Sequence, residues 1–239
     1  MNYTWATASH IGHLRDGNED SVSPVDDGTD TGPILIAVAD GMGGHVAGEV
    51  ASSLAIQAAT DSEVDIDTEI GRRVELANEA VIKAANADTD LTGMGTTLTI
   101  GLFETDGTLQ IGHVGDSRLY LLRNNKLVQV TQDHTWVAGM IADGRLTDDA
   151  ARKHPQRHLL TRVLGMPSVE ADSEEINLEE GDRILICSDG LTTMLGDTSV
   201  ESIAANAKTP SDAAWSLIEA ANAAGGYDNT TVAVVDVAS

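Results

Sequence analysis

Residues 34–44 constrain the fold of this chain more than any other stretch. The sequence ILIAVADGMGG runs six apolar residues into Asp40 and then into a glycine-rich turn. A continuous apolar run of that kind, rich in Ile and Val and ended by a turn signal, predicts a strand buried on both faces. Two later apolar runs end in the same way, at Asp116 and Asp189. We therefore expect three core strands that each deliver a carboxylate to the edge of the core.

The composition supports a large core and argues against a membrane span. Apolar residues make up 41% of the 239 residues and aromatic residues only 3%, so aliphatic side chains and alanine must fill the core. The longest apolar runs hold about six residues, whereas roughly 18 are needed to cross a bilayer. The first residues lack the basic and apolar regions of a signal peptide. Cys187 is the single cysteine and lies in an apolar run, which predicts a packing role and a reducing, cytoplasmic environment.

The charge balance is strongly acidic, with 38 acidic and 14 basic residues and a net charge of −24. Such a surface repels nucleic acid and anionic membranes, so we expect neither as a partner. Only four of the basic residues are lysines. Scarce lysine beside excess carboxylate is typical of proteins from high-salt cytoplasms, but it also fits an ordinary acidic bacterial protein. Both interpretations stay open, and the response of activity to KCl distinguishes them.

Short apolar runs separated by turn residues predict many hairpins and a few helices. Strands are predicted at residues 3–9, 34–40, 96–103, 109–115, 118–123, 126–130, 169–178, 183–188 and 230–237. Helices are predicted at residues 47–60, 70–84 and 209–224, the last ending at a Gly-Gly pair. Residues 12–21 and the acidic stretch up to Pro33 are interpreted as turns and loops. This mixture indicates one α+β domain over residues 1–239, with helices covering a sheet or a two-sheet sandwich.

Residues 132–165 do not follow either periodicity and are predicted to form short helices and loops. A segment that long between strands is typical of a functional lid or insertion. We refer to residues 132–165 as the flap.

Acidic residues flank several of the predicted strands. Each Asp-Gly pair taken singly is above all a turn former, but the set is harder to explain by turns alone. Carboxylates that converge at strand ends cannot all stay ionised unless cations neutralise them. Oxygen ligands without a His-Cys cluster favour Mg²⁺ or Mn²⁺ over Zn²⁺. The candidate ligands are Glu19, Asp20, Asp40, Asp116, Asp189 and Asp228.

Two such ions about 3.5–4 Å apart can clamp a phosphoryl group and generate a hydroxide for in-line attack. That chemistry also needs a guanidinium that binds phosphate oxygens with two parallel bonds, and Arg15 stands shortly before Glu19.

Six motifs occur in the order found in the metal-dependent protein phosphatase family, type 2C: GHLRDGNED, ADGMGGHVAGE, GMGTT, HVGDSRLYLLR, CSDGL and GGYDN. From about residue 12 to residue 237, the chain resembles the compact bacterial and archaeal members. The resemblance implies a four-layer α-β-β-α sandwich of two antiparallel sheets flanked by helices, with the flap beside the active site and linked to substrate choice. It also implies hydrolysis of phosphoserine and phosphothreonine in proteins, by direct attack of a hydroxide that bridges two Mn²⁺ or Mg²⁺ ions.

The family's central site residues can be placed one by one. Arg15 looks like the phosphate-binding arginine, which would contact the substrate directly. Asp40 resembles the carboxylate that bridges both catalytic metals, with the Gly41 carbonyl on one of them. Asp189 and Asp228 resemble the ligands of the other metal.

Three further carboxylates match outer positions of the family's metal site. Glu19 and Asp20 resemble the acidic pair that holds metal-bound waters. Asp116 matches the position that helps bind a third, weaker metal in bacterial relatives, shared with Asp189.

Two positions depart from the family pattern. Some relatives carry a histidine directly after the Asp-Gly pair as general acid for the leaving group, and Met42 stands there in this chain. Protonation must then come from metal-bound water or another histidine, such as His45. His158 stands where relatives often have Asn or Ser; it either alters the third-metal site or, as we interpret it, is simply a surface residue of the flap. The remaining histidines share no ligand spacing and are assigned surface or core roles: His10, His13, His113, His134 and His154.

Two alternatives from other classes are weighed against a phosphatase. A catalytically silent module that binds phosphoproteins would lack one of the metal carboxylates, and none is missing. A phosphatase with an aspartyl nucleophile needs a D-x-D pattern after its first strand, which Asp40-Gly41-Met42 does not provide. The expected partners are phosphoprotein substrates and an opposing serine/threonine kinase system, and the expected state is a monomer.

Overall fold

The computed structural model describes the backbone of residues 1–239 and every side chain except those of His45, Asp148 and Asp149. The strands are β1 Asn2–His10, β2 Asp20–Ser23, β3 Gly28–Asp30, β4 Ile34–Met42, β5 Gly95–Thr96, β6 Leu98–Phe103, β7 Thr108–Val114, β8 Arg118–Arg123, β9 Lys126–Gln129, β10 Asp172–Asn177, β11 Arg183–Cys187 and β12 Thr230–Ala238. The helices are α1 His45–Ala59, α2 Ile70–Ala87, α3 Trp136–Ala142, α4 Asp148–Arg152, α5 Asp189–Met194, α6 Asp197–Asn206 and α7 Pro210–Ala223.

The strands form two antiparallel sheets. One sheet has the order β3-β1-β12-β11-β8-β9, and the other has the order β10-β7-β6-β4-β2, with β5 paired to the end of β4. The tight connection between β8 and β9 is made by Asn124 and Asn125, both with positive φ, as expected for the turn chemistry of an Asn-Asn pair.

Strand β4 is buried on both faces, as its unbroken apolar sequence predicts. Ile36 and Val38 point into the core between the two sheets. Ala37 and Ala39 point the other way and pack with residues of α1 and α2. The small alanine side chains let α1 approach the sheet closely, directly after the strand ends.

Helices cover both outer faces, so the molecule has four layers. Helices α1 and α2 pack on the sheet that contains β4, and α5, α6 and α7 pack on the sheet that contains β12. This is the four-layer α-β-β-α sandwich that was expected. Among the described residues, no helix is both long and apolar enough to cross a membrane.

Two predicted loops contain short strands. The acidic stretch before Pro33 includes β3, which pairs with β1, and the polar turn that ends at Ser21 leads into β2, which pairs with β4. Helix α6 was not predicted either, because only Val200 and Ala204 of its ten residues are buried and its apolar pattern is correspondingly weak. The elements β2, β3 and α6 are largely polar, and their positions depend on packing or pairing with neighbouring elements more than on their own sequence.

The flap contains the short helices α3 and α4 joined by loops, as predicted. Its two ends lie side by side, because isolated bridges join Thr135 to Leu160 and Thr96 to Leu164. The flap is thereby anchored to β5, next to the end of β4.

Candidate metal centre

Strands β2 and β4 place Asp20 directly opposite Asp40. Asp20 is buried, and its Oδ2 accepts a hydrogen bond of 2.7 Å from the Ser188 hydroxyl. Its Oδ1 is buried without a hydrogen-bond partner. A buried carboxylate oxygen without a partner is costly, so this atom is suited to a ligand that supplies positive charge or a donor.

Asp40 faces the other carboxylates of the site. Burial raises its pKa well above the usual range, and the charges of Asp20, Asp189, Asp116 and Asp228 raise it further. Its position does not depend on that charge, because its backbone N–H donates to the Thr97 hydroxyl and its carbonyl accepts from Thr96 and Thr97.

The surroundings of two more carboxylates, those of Asp20 and Asp116, raise their pKa values. Burial raises the pKa of Asp20 to about 7, against the opposing effect of hydrogen bonds from Ser188 and Thr231. Burial also raises the pKa of Asp116 well above its usual range, with the charge of Asp189 adding to the effect. Like charges that raise one another's pKa values mark a place where a cation is stabilised.

The other sheet supplies Asp189 and Asp228. Asp189 follows β11 and is the first residue of α5, where the partial positive charge of the helix N-terminus favours a carboxylate. Asp228 precedes β12 and accepts a hydrogen bond of 2.8 Å from the backbone N–H of Asn229.

Arg15 lies at the rim of this cluster. Its Nη2 donates to Asp228 Oδ2 at 2.7 Å, and its side chain is 47% exposed. The hydrogen bond to Asp228 raises the pKa of Arg15, with contributions from the charges of Glu19 and Asp40. The guanidinium is therefore close to the carboxylates and still accessible to an anion from solvent.

Glu19 is buried where β4 meets α1. A Cβ at Gly48 of α1 would lie 2.2 Å from Glu19 Oε2, and a Cβ at Gly41 would lie 2.1 Å from the Gly48 carbonyl oxygen. The lack of a side chain at both positions lets α1 approach the end of β4 this closely.

Asp116 and Asp189 also line a cleft of about 520 Å³ between the flap and the sheet. His158 of the flap reaches this cleft, with its Nδ1 3.6 Å from Asp189 Oδ2. The structure therefore places His158, whose side chain is 47% exposed, on the surface of the flap and at the edge of the carboxylate cluster.

The donor set fits hard divalent cations. It consists of carboxylate oxygens from both sheets, with one buried oxygen unpartnered, and this chemistry suits Mn²⁺ or Mg²⁺. Among the described side chains, no three His, Cys, Asp or Glu groups are drawn together into a ready-made ligand cage.

Two positions near Asp40, Met42 and His45, bear on which group protonates the leaving oxygen. Met42 follows Gly41 at the end of β4 and is partly buried, and its thioether cannot donate a proton. His45, considered as a proton donor, lies outside the described side chains.

Sequence reasoning missed the residues that hold the carboxylates in place. Asn229 accepts from the Glu19 N–H and donates to the carbonyls of Ile11 and Gly17, so it fixes the loop that carries Arg15. Ser188 bridges the sheets through Asp20 and the Thr231 N–H. Both stand next to a candidate ligand, in GGYDN and CSDG, and that adjacency was the available signal.

Comparisons with known proteins show that the chain is similar to protein phosphatases. A family model described as protein phosphatase 2C matches residues 11–224. Serine/threonine phosphatase stp of Listeria welshimeri is 38% identical over 235 residues, covering 94% of this chain and 92% of that protein. Serine/threonine protein phosphatase PstP of Mycobacterium tuberculosis is 42% identical over 98% of this chain, which spans 45% of PstP.

Solved structures of similar phosphatases have the same overall fold as this chain. The crystal structure of the Mycobacterium tuberculosis phosphatase PstP superposes with a TM-score of 0.90 at 40% identity, covering 100% of both chains. A structure of the PstP catalytic domain in complex with two manganese ions gives a TM-score of 0.88 at 38% identity, again over 100% of both chains.

Proposed function

This chain belongs to the protein phosphatase 2C family and is a metal-dependent serine/threonine phosphatase, and we propose that it cleaves phosphoserine and phosphothreonine in proteins by direct attack of water on phosphorus. In this mechanism no phosphate is transferred to the enzyme. The whole of residues 1–239 would act as one catalytic domain, with the flap as its substrate-facing part. The observation that carries the proposal is the cluster of mutually repelling carboxylates contributed by both sheets.

The cluster suggests how two ions would be held. Asp40 would bridge them, with the Gly41 carbonyl as a further ligand, and Asp189 and Asp228 would bind the second ion. Bound there, Mn²⁺ or Mg²⁺ supplies a nucleophile from water at neutral pH and positive charge beside the phosphoryl group.

The outer carboxylates would have supporting roles. Glu19 and Asp20 would hold metal-bound waters, and the unpartnered Asp20 Oδ1 can accept a hydrogen bond from such a water. Asp116 and Asp189 share the cleft below the flap, where they would hold a third, weaker ion.

Arg15 would bind the phosphate of the substrate. Its guanidinium is half exposed and oriented by Asp228, and it can donate two parallel hydrogen bonds to phosphate oxygens. Orientation by Asp228 lowers the entropy cost of fixing a long side chain around the phosphate.

The proton for the leaving serine or threonine oxygen cannot come from Met42. Water or another histidine is left as the donor, and among the described histidines His158 lies closest to the carboxylates, at 3.6 Å from Asp189.

The substrates we propose are phosphoproteins in the cytoplasm, phosphorylated by a serine/threonine kinase system. The chain would act as a monomer. Its net charge of −24 disfavours nucleic acid and anionic membranes as partners.

Hydrolysis of p-nitrophenyl phosphate with and without Mn²⁺ tests the proposal. We expect turnover only with the metal in the wild type. Turnover of Asp189→Ala should be at least 100-fold lower than that of the wild type, a loss of about 3 kcal/mol of transition-state stabilisation. The exposed substitution Asp26→Ala serves as the control. Metal-independent turnover, or full turnover in Asp189→Ala, would defeat the proposal.

A further inference from the structure

His134, at the start of the flap, holds both polar backbone groups of Gly115. The Gly115 N–H donates to His134 Nδ1 at 3.1 Å, and the His134 N–H donates to the Gly115 carbonyl at 2.7 Å. The His134 side chain is 5% exposed. A buried histidine with two such contacts fixes the position of the glycine that it touches.

These contacts also place the proton of the imidazole ring. Because Nδ1 accepts from Gly115, the neutral ring carries its proton on Nε2 and donates to Asp172 Oδ2 at 3.0 Å. Arg162 Nη1 donates to the other oxygen of Asp172 at 2.5 Å and lies 3.1 Å from the same His134 Nε2. The ring is thus oriented from two sides, by Gly115 and by Asp172 of strand β10.

Gly115 leads directly into Asp116, and its surroundings leave it little freedom. Its φ is +112°, and a Cβ there would lie 2.5 Å from the Thr97 side chain. Thr97 in turn accepts from the Asp40 N–H and shares a hydrogen bond of 2.7 Å with Ser117. A shift of Gly115 would therefore move the buried Asp116 carboxylate.

The same histidine joins the two ends of the flap. The His134 carbonyl accepts a hydrogen bond of 2.8 Å from the Thr161 N–H, close to Arg162. The ring of His113 lies beside that of His134, with 4.8 Å between the centroids. The flap base and the Gly115 turn consequently share one buried residue.

We propose that His134 is a positioning residue that sets the location of the Asp116 carboxylate through Gly115 and ties it to the base of the flap. This inference rests on the proposed function, because it treats Asp116 as part of a cation site. Partners behind a metal ligand are worth about 10- to 100-fold in metal affinity or activity.

Two substitutions separate this role from general support of the fold. In His134→Asn the side-chain oxygen can take the place of Nδ1 and accept from Gly115, but the contact with Asp172 is lost. In His134→Gln the amide nitrogen can take the place of Nε2 and donate to Asp172, but the contact with Gly115 is lost. His154→Asn is the matched control in the flap, since its ring contacts Trp136 and Gln156.

The measurements are calorimetric Mn²⁺ titrations and the Mn²⁺ concentration for half-maximal hydrolysis of p-nitrophenyl phosphate. We expect His134→Gln to weaken the weakest Mn²⁺ binding step on the order of 10-fold, and His134→Asn and His154→Asn to match the wild type. Equal effects of Asn and Gln at residue 134, or no effect of Gln, would overturn the proposal.

Asp172→Ala covers the case in which His134→Gln does not fold. Asp172 is partly exposed on the edge strand β10, so Asp172→Ala removes its contact with the ring without opening the core and leaves the contact between Nδ1 and Gly115 in place. As for His134→Asn, we therefore expect the Mn²⁺ requirement of the wild type, and a raised requirement would contradict the proposal that the contact with Gly115 sets the position of Asp116. A wild type that does not respond to Mn²⁺ at all would instead refute the proposed function.

Discussion

At the scale of single residues, hydrogen bonds fix the backbone of Asp40, whereas the negative charge of its side chain lowers the stability of the metal-free protein. Hydrogen bonds to Thr96 and Thr97 fix the strand, while burial and the neighbouring carboxylates raise the pKa of Asp40. The native protein therefore retains this proton at a pH where the unfolded chain has lost it. It follows that the contribution of Asp40 to the stability of the metal-free protein falls as the pH rises above about 4.

Asp40→Asn should abolish hydrolysis and at the same time stabilise the metal-free protein. The gain in Tm over the wild type should be small near pH 4 and grow toward pH 8, because only the wild type carries the repelled charge there. Thermal unfolding in a chelating buffer measures this, with the exposed Asp26→Asn as control. A lower Tm than that of the wild type at pH 8, or retained turnover, would show that the charge of Asp40 does not serve to bind a metal ion.

His113 gives a second dependence on pH, of opposite sign. Burial lowers its pKa from 6.5 to about 4, so the unfolded chain binds a proton in a range where the native protein does not. Stability from this residue is fully present above pH 6.5 and is lost as the pH falls toward 4. The loss amounts to roughly 3 kcal/mol.

In urea unfolding, we expect the stability difference between wild type and His113→Gln to shrink by that amount from pH 7 to pH 4. His154→Gln, in the flap, is the control for the loss of one histidine. A difference that does not change with pH would mean that His113 is not kept neutral by burial.

At the scale of elements, the helix α1 and the strand β4 approach each other as closely as glycine allows. The Cβ that Gly48→Ala adds would meet Glu19 Oε2 at 2.2 Å and the backbone carbon of Gly41 at 3.1 Å, so the carboxylate must move away and the end of β4 must give slightly. We therefore expect a lowered Tm together with a raised Mn²⁺ requirement and reduced turnover.

Gly139→Ala is the matched control for this prediction, because Gly139 is also helical and a Cβ there meets nothing within 4 Å. It should leave turnover unchanged and stabilise the protein by about 0.5–1 kcal/mol. If Gly48→Ala retained the wild-type Mn²⁺ response, the position of Glu19 would not matter to catalysis.

How far the elements could be predicted depends on how much of their stability lies in their own sequence. Strand β4 and helix α2 carry unbroken or periodic apolar patterns and were predicted nearly to their ends. Strands β2 and β3 are short, polar edge strands whose pairing partners are β4 and β1, and nothing in their own residues favours a strand. Burial of both Asp20 and Glu19 depends on β2, so sequence alone could not predict it.

At the scale of the whole molecule, the site exists only because two sheets meet. Asp20 and Asp40 come from one sheet, and Asp189 and Asp228 from the other. The sequence indicates that each carboxylate stands at a strand end, and the family motifs indicate that they belong together. The contacts of Ser188 and Asn229, which join the sheets behind the carboxylates, follow from packing over long sequence separations, and the position of each residue next to a candidate ligand is the one local sign of them.

The central claim is that these carboxylates form one centre for two cations, with Asp40 shared between them. Calorimetric titration of Mn²⁺ into the metal-free wild type and into Asp40→Asn tests it most directly. We expect two tightly bound ions per chain in the wild type and the loss of both tight sites in Asp40→Asn. Unchanged stoichiometry and affinity in Asp40→Asn would contradict the account.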